Sequence, residues 1–270
     1  MFKYIFQIAL VAITLVSCTD HEVGGQEYST TPVIEGYMAA GSNPSIKIYN
    51  QIANNTISTE SDMIDDLVVV LTVNGVSYTL TQDDAGLYQT SEVMLDEGDT
   101  LTMSFEYEGT LVYADTYIPN KPLNYTQSET SIVLPDFSGG ISSGSPPDFP
   151  DPIELEWLND NNDYHVIVIE NIESDPELVF DLEEDEDRPR PIFRNEPTTA
   201  SNYQLQSMAF EYLGTHRVIL YRILPDYSAL YDVNSNSSQN LTSPDSDIEN
   251  GLGIFTGINA DTLWVEVSLD

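Results

Sequence analysis

The chain reads as an all-β protein of two consecutive β-sandwiches with one short helix near the C-terminus. Three observations lead there. Short runs rich in Val, Ile, Thr and Tyr recur from Thr31 onward, and β-branched and aromatic side chains suit a pleated, half-buried surface. Turn residues interrupt these runs about every ten residues, which is the rhythm of a sandwich. No long stretch keeps the 3.6-residue apolar period of an amphipathic helix.

Taken in order, Pro32 to Met38 and Ser45 to Tyr49 are the first extended runs, bounded by Gly, Asn and Pro. Leu67 to Val73 and Val76 to Thr81 flank Asn74-Gly75, a pair that tolerates the positive φ of a type I′ turn and so predicts a hairpin. Gly86 to Thr90, Thr100 to Tyr107 and Leu111 to Ile118 follow, the last two joined at Glu108-Gly109. Together 31–120 has the size and rhythm of an immunoglobulin-like sandwich, with Asn120-Lys-Pro122 as the junction. Beyond it, Thr130 to Leu134, the alternating Ile153 to Trp157 and the nearly continuous Tyr164 to Ile169 predict strands. The continuous run implies burial on both faces. Tyr203 to Tyr212 and Arg217 to Leu224 predict a hairpin over Leu213-Gly214-Thr215, Pro225-Asp226 opens a short helix through Tyr231, and Thr262 to Leu269 is the last strand after Gly253 to Thr256. This order suits a fibronectin-III-like sandwich over 121–270, with exposed loops at about 135–152 and 181–200.

The N-terminus predicts an address. Lys3 precedes an apolar run from Ile5 to Val16, shorter than the roughly 20 residues a membrane-spanning helix needs, so 1–17 reads as a cleaved secretory signal. Leu15, Val16, Ser17 and Cys18 look like a lipobox, with cleavage between Ser17 and Cys18 and lipid attached to Cys18. It is the only cysteine in the chain, and lipidation explains a thiol with no disulfide partner. Several acyl chains on one residue anchor a protein stably without any spanning helix. The segment 18–30 is then a flexible acidic tether. Acidic residues directly behind the cysteine resemble the signal by which Bacteroidota lipoproteins reach the outer face of the outer membrane.

Charge narrows the function classes. Eight Lys and Arg face 45 Asp and Glu, a formal charge of −37. Such a chain repels phosphate backbones and anionic headgroups, which argues against nucleic acid as a partner. An aromatic share of 10% and a hydrophobic share of 41% argue for folded domains despite that charge.

Chemistry-bearing patterns are few. Gly140-Ile-Ser142-Ser-Gly144 has the letters of a nucleophile elbow but sits in a Gly/Ser/Pro loop without the required strand and helix. Asn159, Asn161, Asp163 and Glu170 take calcium-loop spacing, yet Tyr164 stands where that loop needs Gly. The acidic run holding Asp185, Glu186 and Asp187 is a weak candidate for divalent cations, and a solvated loop explains it better. His21, His165 and His216 are scattered and have no zinc spacing. The tyrosines could stack on sugars, though sheet cores and rims account for them more simply. The residues therefore predict no catalytic set, no metal centre and no cofactor.

The segment Asp247-Ile-Glu-Asn-Gly-Leu-Gly-Ile-Phe-Thr-Gly257, with Val33-Ile-Glu-Gly36, Gly86-Leu-Tyr88 and Tyr113-Ala-Asp-Thr116, resembles a family of Bacteroidota lipoproteins catalogued as a domain of unknown function (number 4249). The family pattern has Asn-Ile where this chain has Asp247-Ile248. The resemblance implies an outer-membrane protein encoded near TonB-dependent transporters. Within the motif, Gly251 and Gly253 around Leu252 suggest tight or closely approached backbone, with Ile254 and Phe255 closing the end of a sandwich. The expectation is a non-enzymatic accessory or ligand-capture lipoprotein beside a TonB-dependent transporter. A surface adhesion or envelope-structural module is the alternative.

Overall fold

The computed structural model describes residues 31–50, 62–136, 149–179, 190–232 and 247–270, all of which belong to one compact unit, Thr31–Asp270. Its first strands are β1 (Pro32–Ala39) and β2 (Ser45–Asn50), which pair antiparallel with Ile34 opposite Ile48. Inward and outward residues alternate along β1, as expected of a sheet with one face on a core. The hairpin follows as β3 (Val70–Val73) and β4 (Val76–Thr79). Asn74 and Gly75 between them have φ of 50° and 84°, so both turn residues take the conformation that selects Asn-Gly there. Next come β5 (Thr81–Asp84) and β6 (Leu87–Gln89), then β7 (Thr100–Tyr107) and β8 (Thr110–Tyr117) joined at Glu108-Gly109.

Beyond residue 120 lie β9 (Leu123–Gln127), β10 (Ser131–Leu134), β11 (Ile153–Leu158) and β12 (Tyr164–Asn171). They are followed by β13 (Ile192–Arg194), β14 (Asn202–Leu205) and β15 (Gly214–Ile223). Helix α1 (Pro225–Asp232) precedes the 18-residue strand β16 (Leu252–Leu269). These make three sheets. The largest runs β13-β12-β15-β16-β1-β2-β6-β5, with β10 also on β16; the others are β4-β3-β7-β8 and β14-β11-β9. The all-β sandwich class stands, and α1 is the one α-helix among the described residues.

Two cores fill the sandwiches. Ile34, Ile48, Leu71, Met103 and Phe105 anchor the first, while Leu155, Trp157, Ile167, Leu220 and Val265 anchor the second. Residue 120 separates the strands of these cores, but β16 serves both. Its start runs parallel to β1, with Gly253 opposite Ile34, and its second half runs antiparallel to β15, with Thr262 opposite Ile219. Phe255 thereby enters the first core and Val265 and Val267 the second. The junction is pinned to this strand. The Gly257 amide donates to Thr116 Oγ1 at 3.1 Å, Asn259 Nδ2 donates to the Pro119 carbonyl at 2.9 Å, and Lys121 pairs with Asp261 at 2.9 Å. Gly257 is required here, because a Cβ would lie 1.9 Å from the Tyr117 carbonyl oxygen.

Three expectations need correction. Tyr203–Tyr212 and Arg217–Leu224 do not form a hairpin: β14 pairs with β11 in the three-stranded sheet, and β15 belongs to the largest sheet. The chain crosses between sheets through a 3-10 turn at Ser207–Ala209. Phe210 is buried in the second core during that crossing, so an apolar pattern persists where no strand does. Secondly, the expected loop 181–200 contains a strand, since Ile192–Arg194 pairs with Val168 to Glu170. It is a short exposed edge flanked by prolines, which leaves almost no periodic signal. Finally, Gly253–Thr256 and Thr262–Leu269 are parts of one strand, not two elements. Residues 137–148, including Ser142, lie outside the described residues.

Candidate ligand-binding groove

The run Tyr164–Ile169 is buried on both faces, and its outer face builds the floor of a ligand-sized groove. Ile167 and Ile169 of β12 and Val218 and Leu220 of β15 point into the second core. Their neighbours Val166, Val168, Ile219 and Ile223 point the other way and form a third apolar cluster with Tyr164, Tyr221, Tyr227 and Ile258. Alternation along two adjacent strands produces these two faces, because Val166–Ile169 and Val218–Leu220 are apolar at every position. Helix α1 supplies Tyr227 and Tyr231 at i and i+4, which share one side of a helix.

A cavity of about 280 Å³ opens between these elements. Its floor is Val166, Val168, Ile223 and Ile258, and its walls are Tyr37, Tyr221, Tyr227 and Arg194. The rings of Tyr37 and Tyr227 meet edge to face at 5.9 Å, and Tyr227 and Tyr231 lie 6.1 Å apart. Arg194 Nη1 donates to the Tyr227 hydroxyl at 3.3 Å. Burial pushes the Tyr227 phenol up to about 12, against the opposing pull of Arg194. Burial and the nearby Glu35 carboxylate also raise Tyr37. Both phenols therefore remain protonated donors at neutral pH. Partial burial acts to lower Arg194, but its hydrogen bond to Tyr231 and the surrounding phenols carry it above its ordinary value. An apolar floor with a few convergent polar groups is the usual composition of a small-molecule site.

A second cavity of about 600 Å³ is broader and more open, between β7, β8 and the start of α1. Thr100, Thr102, Tyr113, Asp115, Asp226 and Asp247 are among its lining residues. Asp226 accepts from Thr256 Oγ1 at 3.0 Å, and burial, with a further contribution from Asp247, raises its carboxyl. Among the described residues its lining contains no histidine, lysine or arginine.

The residues singled out by sequence fall differently. Leu15, Val16, Ser17 and Cys18, and the acidic Asp185, Glu186 and Asp187, lie outside the described residues. The family-like segment is described throughout. Ile248 and Phe255 are buried in the first core, Asp247 lines the broad cavity, and Leu252 and Gly253 open β16. Gly253 has φ of 100°, and a Cβ there would stand 2.1 Å from the Ile34 carbonyl oxygen. A Cβ on Gly251 would crowd Ile248 and Ile34 at 2.8 and 2.9 Å. The calcium-like spacing resolves into a turn. Asn159 bonds the backbone of Asp163, Thr199 and Ala200, Asp163 pairs with Arg222 at 2.6 Å, and Glu170 pairs with Arg217. Among the described residues no group of three His, Cys, Asp or Glu side chains is placed to hold a metal ion. His165 and His216 are buried, and burial lowers both below the ordinary imidazole value. Each Nδ1 lies near a backbone carbonyl, of Asp163 at 3.1 Å and of Gly214 at 3.0 Å.

Sequence reasoning missed the groove. Tyr227 and Tyr231 at helical spacing were a visible signal, but Tyr37 and Arg194 reach the site only through the sheet order.

No family model and no curated protein matches the chain. Among solved structures, the FN1–FN3 domains of chicken CNTN1 are similar at 10% identity and a TM-score of 0.27, covering 88% of this chain and 67% of that one. The Ig1–Ig3 ectodomain of mouse nectin-like molecule 4 is similar at 10% identity and a TM-score of 0.21, over 88% of this chain and 65% of that one.

Proposed function

We propose that the protein is a lipid-anchored, non-enzymatic binding module of the outer membrane, facing the cell exterior, which captures a ligand beside a TonB-dependent transporter. The groove under α1 is the observation that supports capture: apolar floor, tyrosine walls and one arginine converge on a space the size of a small ligand. The lipobox supports the anchor at Cys18, and the resemblance of the Asp247–Gly257 segment supports the membership in family 4249 and the transporter association. No helix among the described residues is long and apolar enough to cross a membrane, and a lipid anchor needs none.

Affinity purification of the tagged protein from gently solubilised outer membranes, with a Cys18→Ala control, tests this reading. Stoichiometric recovery of a TonB-dependent transporter, lost in the control, is the expected result. Recovery of the lipoprotein alone counts against it and favours the second reading, a surface adhesion or envelope-structural module. The single strand β16 running through both sandwiches speaks for that alternative, because it suits a stiff spacer.

A further inference from the structure

Arg194 differs in what it touches from the three ion-paired cations among the described residues, where Lys47, over the Tyr49 ring, and Arg190 also form no ion pair. The chain has 8 Lys and Arg against 45 Asp and Glu, so a carboxylate partner is easy to find. Lys121, Arg217 and Arg222 each have one, in Asp261, Glu170 and Asp163. Among the described residues Arg194 pairs with no carboxylate, and its partners are the hydroxyls of Tyr227 and Tyr231. It stands on the exposed edge strand β13, at the wall of the groove. A guanidinium flanked by phenols keeps its charge and its fork of donors for a planar anion, and carboxylate is the anion whose two oxygens match that fork. An acidic surface around it would repel an anion lacking other attractions. A ligand must therefore add contacts of its own to the groove.

Those contacts are defined by the other walls. Tyr37 is 45% exposed and meets Tyr227 edge to face, leaving ring surface for the apolar C–H face of a puckered ring. The phenol hydroxyls at the rim can donate to and accept from ligand hydroxyls. The volume of about 280 Å³ falls just below the usual ligand sites of about 300 to 1,000 Å³, and suits one ring rather than a long chain. We infer that the groove binds a carboxylate-bearing sugar ring, a uronate unit of an acidic glycan, with its carboxylate on Arg194 and its C–H face against the tyrosines. This rests on the reading of the groove as the ligand site.

Calorimetric titration of the full chain in detergent tests it with three probes: trigalacturonate, its fully methyl-esterified form, and benzoate as a ring carboxylate without hydroxyls. Trigalacturonate is expected to bind at least about tenfold more tightly than either other probe, the worth of one charge-assisted contact. Arg194→Gln should abolish that preference, so that the acid and the ester bind the variant equally. Tyr227→Ala should weaken acid and ester together, and Tyr37→Ala serves the same purpose if the helix variant fails to fold by circular dichroism. Equal binding of acid and ester, or an unaffected acid preference in Arg194→Gln, overturns the inference. Benzoate binding as tightly as the trimer overturns the saccharide assignment. Absence of binding by all three overturns it too, while the transporter association stands or falls separately on co-purification.

Discussion

At Gly253 two constraints coincide. The φ of 100° is costly for any side chain, and the site of a Cβ lies 2.1 Å from backbone, where no rotamer can relieve the clash. Gly41 isolates the first constraint, because its φ is 75° but nothing lies within 4 Å of its Cβ position. Gly41→Ala should cost about 1–2 kcal/mol from the left-handed conformation alone. Gly253→Ala should cost about 4 kcal/mol or more, adding displacement of a paired strand. Urea midpoints at unchanged slope measure both, and equal losses would show that close approach contributes nothing at Gly253. The buried histidines make a second residue-scale expectation. Burial lowers both below 6.5, so the unfolded chain takes up protons first as pH falls. Their stabilisation is complete above about pH 6.5 and is lost as the pH drops below it. Unfolding free energy should fall between pH 7 and 5.5, and the double variant His165→Gln/His216→Gln should flatten that slope. Asp226 has the opposite sign. Its raised carboxyl contributes fully below the ordinary 3.8 and loses that contribution as pH rises through the folded value. Asp226→Asn, which keeps an acceptor for Thr256, should raise the melting temperature at pH 7.

Among the elements, β15 carries the clearest test of the layered arrangement. Leu220 points into the second core and Ile219 into the cluster beside α1, and both are buried. In a strand with one wet face, truncation of the outward residue would cost almost nothing. Here Leu220→Ala and Ile219→Ala should each cost about 2–5 kcal/mol. A loss below about 1 kcal/mol for Ile219→Ala, the usual range for exposed positions, would mean that the outer face is open. The continuous apolar run of β12 was legible as a strand buried twice, since period and composition together leave no polar face. The crossing from β14 to β15 was not. Phe210 continues the apolar pattern across a 3-10 turn, and a buried connection looks like a buried strand when only residue types are seen. Strand β13 escaped notice for the opposite reason, being three exposed residues with no pattern at all.

For the whole molecule, the double service of β16 has a thermodynamic consequence. Both tryptophans, Trp157 and Trp264, lie beyond residue 120, and Trp157 is in the second core. Leu71 is fully buried in the first. If the two cores unfold as one unit, Leu71→Ala should lower the tryptophan-detected urea midpoint by the equivalent of about 2–5 kcal/mol. Coincident fluorescence and far-ultraviolet dichroism transitions are then expected. A tryptophan transition untouched by Leu71→Ala, with a separate earlier change in dichroism, would show two independent sandwiches joined by a strand.

Local features were legible along the chain: the all-β class, the Asn74-Gly75 hairpin, most strand positions, the short helix and the predominance of acid. Each depends on φ preference, side-chain shape or charge, which neighbours along the chain express. Which sheet a strand joins was decided only in the tertiary structure, because backbone hydrogen bonds are the same for every partner. Pairing Val33 with Leu252 or Arg194 with Val168 depends on how whole faces pack across long separations. The groove belongs to that level. Tyr37 on β1, Arg194 on β13 and Tyr227 on α1 meet because β16, lying between β1 and β15, joins both to one sheet.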